Sequence, residues 1–144
     1  VAGLATITPA SGTVGPQGAL LIGLLAGIIC FYATQMIKSY FKIDDSLDVF
    51  PVHGVGGILG ILMLALVGKP GGFLGAGASG FDASIFSQFM IQLQGVVVIC
   101  LWTLVFSWIA LKVTSLVTNL RVSDESEYEG LDITEHNESG YSAS

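Results

Sequence analysis

The chain has 144 residues, of which 52% are hydrophobic and only 11% charged, and its mean hydropathy is +0.76. A soluble domain carries about 25% charged residues, so this composition excludes an ordinary soluble fold and points to the membrane class. The formal charge of −6 is unevenly placed: residues 122–144 hold seven carboxylates and no Lys or Arg, which leaves +1 on residues 1–121. A nearly neutral transmembrane region over 1–121 and an acidic, water-facing tail over 122–144 are therefore expected, with no nucleic-acid partner.

Residues 1–7 have no basic flank and no completed apolar segment, so they do not read as a signal peptide. They read as the end of a helix, and the chain as a piece of a longer protein. Residues 8–17 (TPASGTVGPQ) carry two prolines and two glycines, which break helices and form turns. Residues 18–37 then run uncharged for 20 positions, enough helix to cross about 30 Å of hydrocarbon. Gly23 and Gly27 form a G-x-x-x-G pair, which predicts close approach of a neighbouring helix. Cys30 and Cys100 lie inside apolar runs and read as small packing residues. They show no disulfide framework and no metal-binding spacing.

A second span is expected over 50–68, and residues 69–82 (KPGGFLGAGASGFD) read as a glycine-rich loop. Its glycines lack the strand–helix context of a nucleotide fingerprint. The third apolar run, 83–111, is uncharged for 29 residues, or about 44 Å of helix. A helix continuing to about residue 118 should tilt or project beyond the membrane. Its polar residues Ser84, Gln88, Gln92, Gly95, Thr103, Ser107, Thr114 and Thr118 follow one stripe, which should face other helices. Lys38, Lys42, Lys112 and Arg121 fall on one side of three serial spans and only Lys69 on the other, so the positive-inside rule puts the tail in the cytoplasm. The tail's composition favours disorder in isolation. Tyr128, Leu131, Ile133 and Tyr141 could anchor it to a partner surface, and His136 reads as solvated.

The stretch 44–60, DDSLDVFPVHGVGGILG, organises the chain. His53 is the one ionisable side chain in 50–68. An ionisable group at membrane depth is costly and usually faces a bundle interior or a pathway. On a regular helix Val49, His53, Gly57 and Gly60 would share one face, leaving space in front of the imidazole for something small. Gly57 and Gly60 are the expected packing glycines. Imidazole suits a conduit because one ring nitrogen can donate while the other accepts. The alternatives are a histidine held by a neighbouring helix in a structural subunit, or a haem-ligating subunit of a membrane complex. Asp44, Asp45 and Asp48 could attract a cation to a pore mouth. Asp48, nearest the span, is the expected helix N-cap or structural acid. No nucleophile elbow, phosphate loop, metal cluster or cofactor motif is present, so an enzyme is not expected.

Three stretches, AGLATITPASG (2–12), DDSLDVFPVHGVGGILG (44–60) and LRVSDESEYEGLD (120–132), resemble the ammonium transporter (Amt/Mep/Rh) family, specifically its bacterial branch. The resemblance implies an all-α membrane protein, part of an 11-helix inverted-repeat transporter. Residues 1–7 would end the eighth helix, and the three spans would be helices nine to eleven. It implies that His53 is the second of two paired pore histidines forming a substrate pathway and proton relay, with Val49 and Val1 lining the pore. It further implies a homotrimer that conducts ammonium or ammonia through the cell membrane in nitrogen uptake. A P-II signalling protein would act at its cytoplasmic face. The family's first histidine, aromatic gate and outer cation site belong to helices outside this sequence. Asn137 stands where the resembling tails usually have glycine, which predicts an altered turn.

Overall fold

The computed structural model describes residues 1–68 and 84–139. Every regular element among them is helical. In order they are α1 (Ala2–Ile7), α2 (Pro16–Gln35), α3 (Gly56–Val67), α4 (Ile85–Ser115), α5 (Asp124–Glu129) and α6 (Leu131–Thr134). The glycine-rich loop expected over 69–82 lies outside the described residues, as does Tyr141. The chain divides into two compact units, Val1–Ile99 and Cys100–Ser144.

In the first unit, α1 ends where proline enters the chain. A single 3-10 turn follows at Thr8–Ala10, and Gly12 takes a φ of +79°, a conformation that glycine adopts without a side-chain clash. The next helix begins with Pro16 at its first position after Gly15, where proline's missing N–H costs nothing. The helix α2 runs into a wider π-turn at Met36–Tyr40, and a second π-turn, Phe50–Val55, leads into α3. Among the described residues, three stretches are long and apolar enough to cross a membrane: Pro16–Tyr40, Phe50–Val67 and Ile85–Ser115.

The core of this unit gathers Ala10, Ile22, Met63, Leu64 and Val67, with Ile7, Val14, Leu21, Leu25 and Leu59 packed against it. It is small because most large apolar side chains point outward. Exposed apolar surface on that scale marks helices built to meet lipid or further protein. The contrast is greatest in α4, where only 6% of the most apolar window is buried. Of the polar stripe along α4 and its flanks, Gln88 is buried and Gln92 half-buried, while Ser84, Gly95, Thr103, Ser107, Thr114 and Thr118 are exposed.

Of the two glycines expected to pack, Gly60 meets another helix and Gly57 meets none of the described residues. A β-carbon on Gly60 would collide with the Thr6 carbonyl oxygen, and one on Gly56 would lie 2.7 Å from Thr6 Oγ1 and 3.3 Å from Cys30 Sγ. At Gly57, Gly23 and Gly27, nothing lies within 4 Å. Gly56 and Gly60, four residues apart on α3, are therefore the glycines that meet α1 among the described residues. Cys30 is buried, as expected, while Cys100 is exposed.

In the second unit, Trp102 stacks on Phe106 with ring centroids 4.2 Å apart. Lys112 Nζ lies 6.0 Å from the Trp108 ring centroid, in the last turn, where a cation meets the negative helix end. The tail is not uniformly irregular. Ser123 caps α5 by accepting from the Ser126 N–H at 3.1 Å. Arg121 holds both carboxylate oxygens of Glu127, at 2.9 and 2.7 Å. Gly130, at a φ of +97°, turns the chain into α6. Asn137 takes a φ of +52°, and its N–H donates to the Ile133 carbonyl at 3.1 Å while Glu138 N–H reaches the Asp132 carbonyl at 2.8 Å. Asparagine is the residue that best replaces glycine in this left-handed helix ending. The turn is thus made without glycine.

Candidate functional site

The site begins with the connection between α2 and α3. Residues 41–48 lack regular structure, and side chains help fix where the next helical segment starts. Asp45 does this directly. Its Oδ1 accepts from the Val49 N–H and its Oδ2 from the Phe50 N–H, both at 2.8 Å. These N–H groups open the helical segment and have no partner within it. The cap expected from Asp48 is therefore made by Asp45, three residues earlier. Asp48 supplies the backbone side of the helix start, its carbonyl accepting from the Val52 N–H at 3.0 Å at a φ of +56°. Its side chain turns back to α2's extension and pairs with Lys38 Nζ at 2.7 Å. Asp44 accepts from the Ser46 hydroxyl at 3.0 Å and does not touch the helix.

The first helical turn is wide. The N–H of Gly56 reaches the Pro51 carbonyl, five residues back, as well as that of His53. Pro51 sits in the first turn, where its missing N–H costs no ladder bond. Gly54 leaves space that the Phe50 ring occupies, 3.0 Å from where a β-carbon would sit. The π geometry turns less per residue than an α-helix, so the common face expected for Val49, His53, Gly57 and Gly60 does not continue through this segment. Gly60 faces Thr6, whereas Gly57 faces open space.

His53 is exposed at this turn. It lines a hollow of about 270 Å³ together with Val1, Leu4, Ala5 and Thr8. The hollow's other walls all come from one face of α1 and its extension, at steps of three, one and three residues. The structure thus brings Val1 and His53 together but leaves Val49 outside this lining. Leu4, Ala5 and Thr8 were not singled out by the sequence, although their helical spacing from Val1 was the available signal. The Thr8 hydroxyl donates to the Leu4 carbonyl at 2.8 Å, which leaves its oxygen able to accept. An apolar recess with an imidazole and one hydroxyl oxygen can pass a small hydrogen-bonding molecule, but it offers no nucleophile paired with a base. The described residues include no group of three or more His, Cys, Asp or Glu placed to hold a metal.

A profile of the Ammonium Transporter Family matches residues 1–141. The chain belongs to the ammonium transporter family. It is 37% identical over 142 residues to an ammonium transporter of Corynebacterium glutamicum, covering 98% of this chain and 31% of that protein. It is also 37% identical to an ammonium transporter of Aquifex aeolicus, covering 98% of this chain and 32% of the relative. A solved structure described as a Sensor Amt Protein superposes with a TM-score of 0.77 at 35% identity, over 93% of this chain and 32% of that one. The chain thus spans about a third of the length of the relatives it matches. These relatives are named as transporters, not enzymes, and the helical transporter fold expected from the sequence is the fold found.

Proposed function

We propose that this chain is the C-terminal part of an ammonium transporter, and that His53 lies on its substrate path. The observation that carries the proposal is the exposure of His53 on a hollow otherwise walled by α1 (Val1, Leu4, Ala5) and Thr8. Membership of the family supports ammonium or ammonia as the substrate. The naming of the relatives as transporters leaves the haem-ligating alternative without support.

In this reading the apolar wall strips a passing ammonium of water, and the imidazole replaces part of that hydration. Ammonium passes one proton to the relay that includes the ring, and the neutral ammonia left accepts a hydrogen bond from one ring nitrogen, while the other nitrogen is available to a second histidine from the parent's remaining helices. A proton can then move along the paired rings, separately from the ammonia. Val1 forms part of the wall, and Val49 lines the path beyond the hollow. The parent works as a homotrimer in the cell membrane, with residues 122–144 in the cytoplasm as the surface for a P-II regulator.

The test is the current evoked by ammonium across a supported membrane holding the full-length parent, with His53 and with His53→Ala. Loss of the current, or of its selectivity against potassium, supports the proposal. An unchanged selective current removes His53 from the path.

A further inference from the structure

The carboxylate of Asp45 does more than finish a helix. It chelates two adjacent N–H groups, Val49 and Phe50, and His53 follows only three residues after the second. At about 1.5 Å of rise per residue, the imidazole-bearing backbone lies within about 5 Å of the capped end along the axis. The exposed N–H groups of a helix start act as about half a positive charge, an effect concentrated in the first turn. A cation or a proton resting at His53 is therefore opposed by its own helix unless a negative group offsets that end. The nearest carboxylate bound to those donors is Asp45. Asp48 is already paired with Lys38, and Asp44 is engaged with Ser46.

Resting on the transport reading above, we infer that Asp45 is a positioning residue for the conducting step. Its two hydrogen bonds fix the turn that presents His53, and its charge cancels the positive helix end that would otherwise repel ammonium or a relayed proton. The fixing and the charge can be separated by substitution. Asp45→Ser and Asp45→Asn each keep one acceptor oxygen of the two and remove the charge. Asp45→Glu keeps the charge at a slightly different reach, and Asp45→Ala removes both.

The experiment measures ammonium-evoked current in proteoliposomes of the full-length parent, together with the melting temperature of each purified variant. The expected result is that Asp45→Ser and Asp45→Asn melt close to the parent yet carry about five-fold less current or lower, a size set by charge effects at helix ends. Asp45→Glu should restore most of the current. Parent-like current in the two uncharged, capped variants overturns the inference. So does current that follows melting temperature across all four variants, since that is the mark of a purely structural cap. If the unaltered parent carries no ammonium current, the transport reading itself fails, a result distinct from either of these.

Discussion

The carbonyl oxygen of Thr6 occupies the place where Gly60 would need to put a β-carbon. This contact joins α1 to α3 at backbone distance and so holds one wall of the hollow against the element that bears His53. Alanine at position 60 must push the two helices apart. Overpacking of this kind costs about 1–3 kcal/mol. At Gly57 the space is open, and alanine there should fall within about 0.5 kcal/mol, helped by its better helix propensity. Paired thermal melts of the two variants in detergent would show this difference, and equal melting points would contradict the assignment of Gly60 as the packing glycine.

The Lys38–Asp48 pair ties the end of one membrane-length helix to the start of the next. Its side chains are 43% and 35% exposed, so solvent screens it and its worth should be below about 1 kcal/mol. Asp48→Asn keeps a residue that tolerates positive φ while removing the charge. The expected loss is therefore small, and it should vanish at high salt as the pair is screened in the native protein too. A urea or thermal titration at low and high ionic strength would reveal a larger, salt-insensitive loss if Asp48 instead supported the helix itself.

In the tail, Ser123 supplies the cap of α5. Ser123→Ala should cost about 1 kcal/mol of local stability. Amide exchange over residues 124–129 would then quicken, while α4 stays protected. Uniform exchange rates in both forms would mean that the cap does not hold this turn.

The helix ending at Asn137 makes a prediction of opposite sign for two substitutions. Asn137→Gly should leave the turn intact, because glycine takes the left-handed conformation freely. Asn137→Val should weaken it by about 1–2 kcal/mol, seen as faster exchange of the Glu138 amide that now reaches Asp132. Equal protection in all three forms would contradict the turn.

Three membrane-length helices and an acidic tail could be read directly from the sequence, because burial in lipid demands long uncharged runs wherever the chain crosses. His53 stood out for the same reason: charge-capable groups are rare in such runs. The family followed from three local stretches, which need no fold to be recognised. Which carboxylate caps the helical segment that opens at Val49 could not be read from proximity along the chain. Asp48 sits closest, but its carboxylate pairs with Lys38 and the side-chain cap comes from Asp45. A regular period picked out Gly60 but not Gly56, whose contact with Thr6 and Cys30 depends on where α1 and α2 lie. Composition and spacing thus determined what crosses the membrane and what is chemically unusual there. The tertiary structure decided which side chains meet, because a contact depends on where turns of different width point each residue, and two helices must be packed together before that direction has a partner.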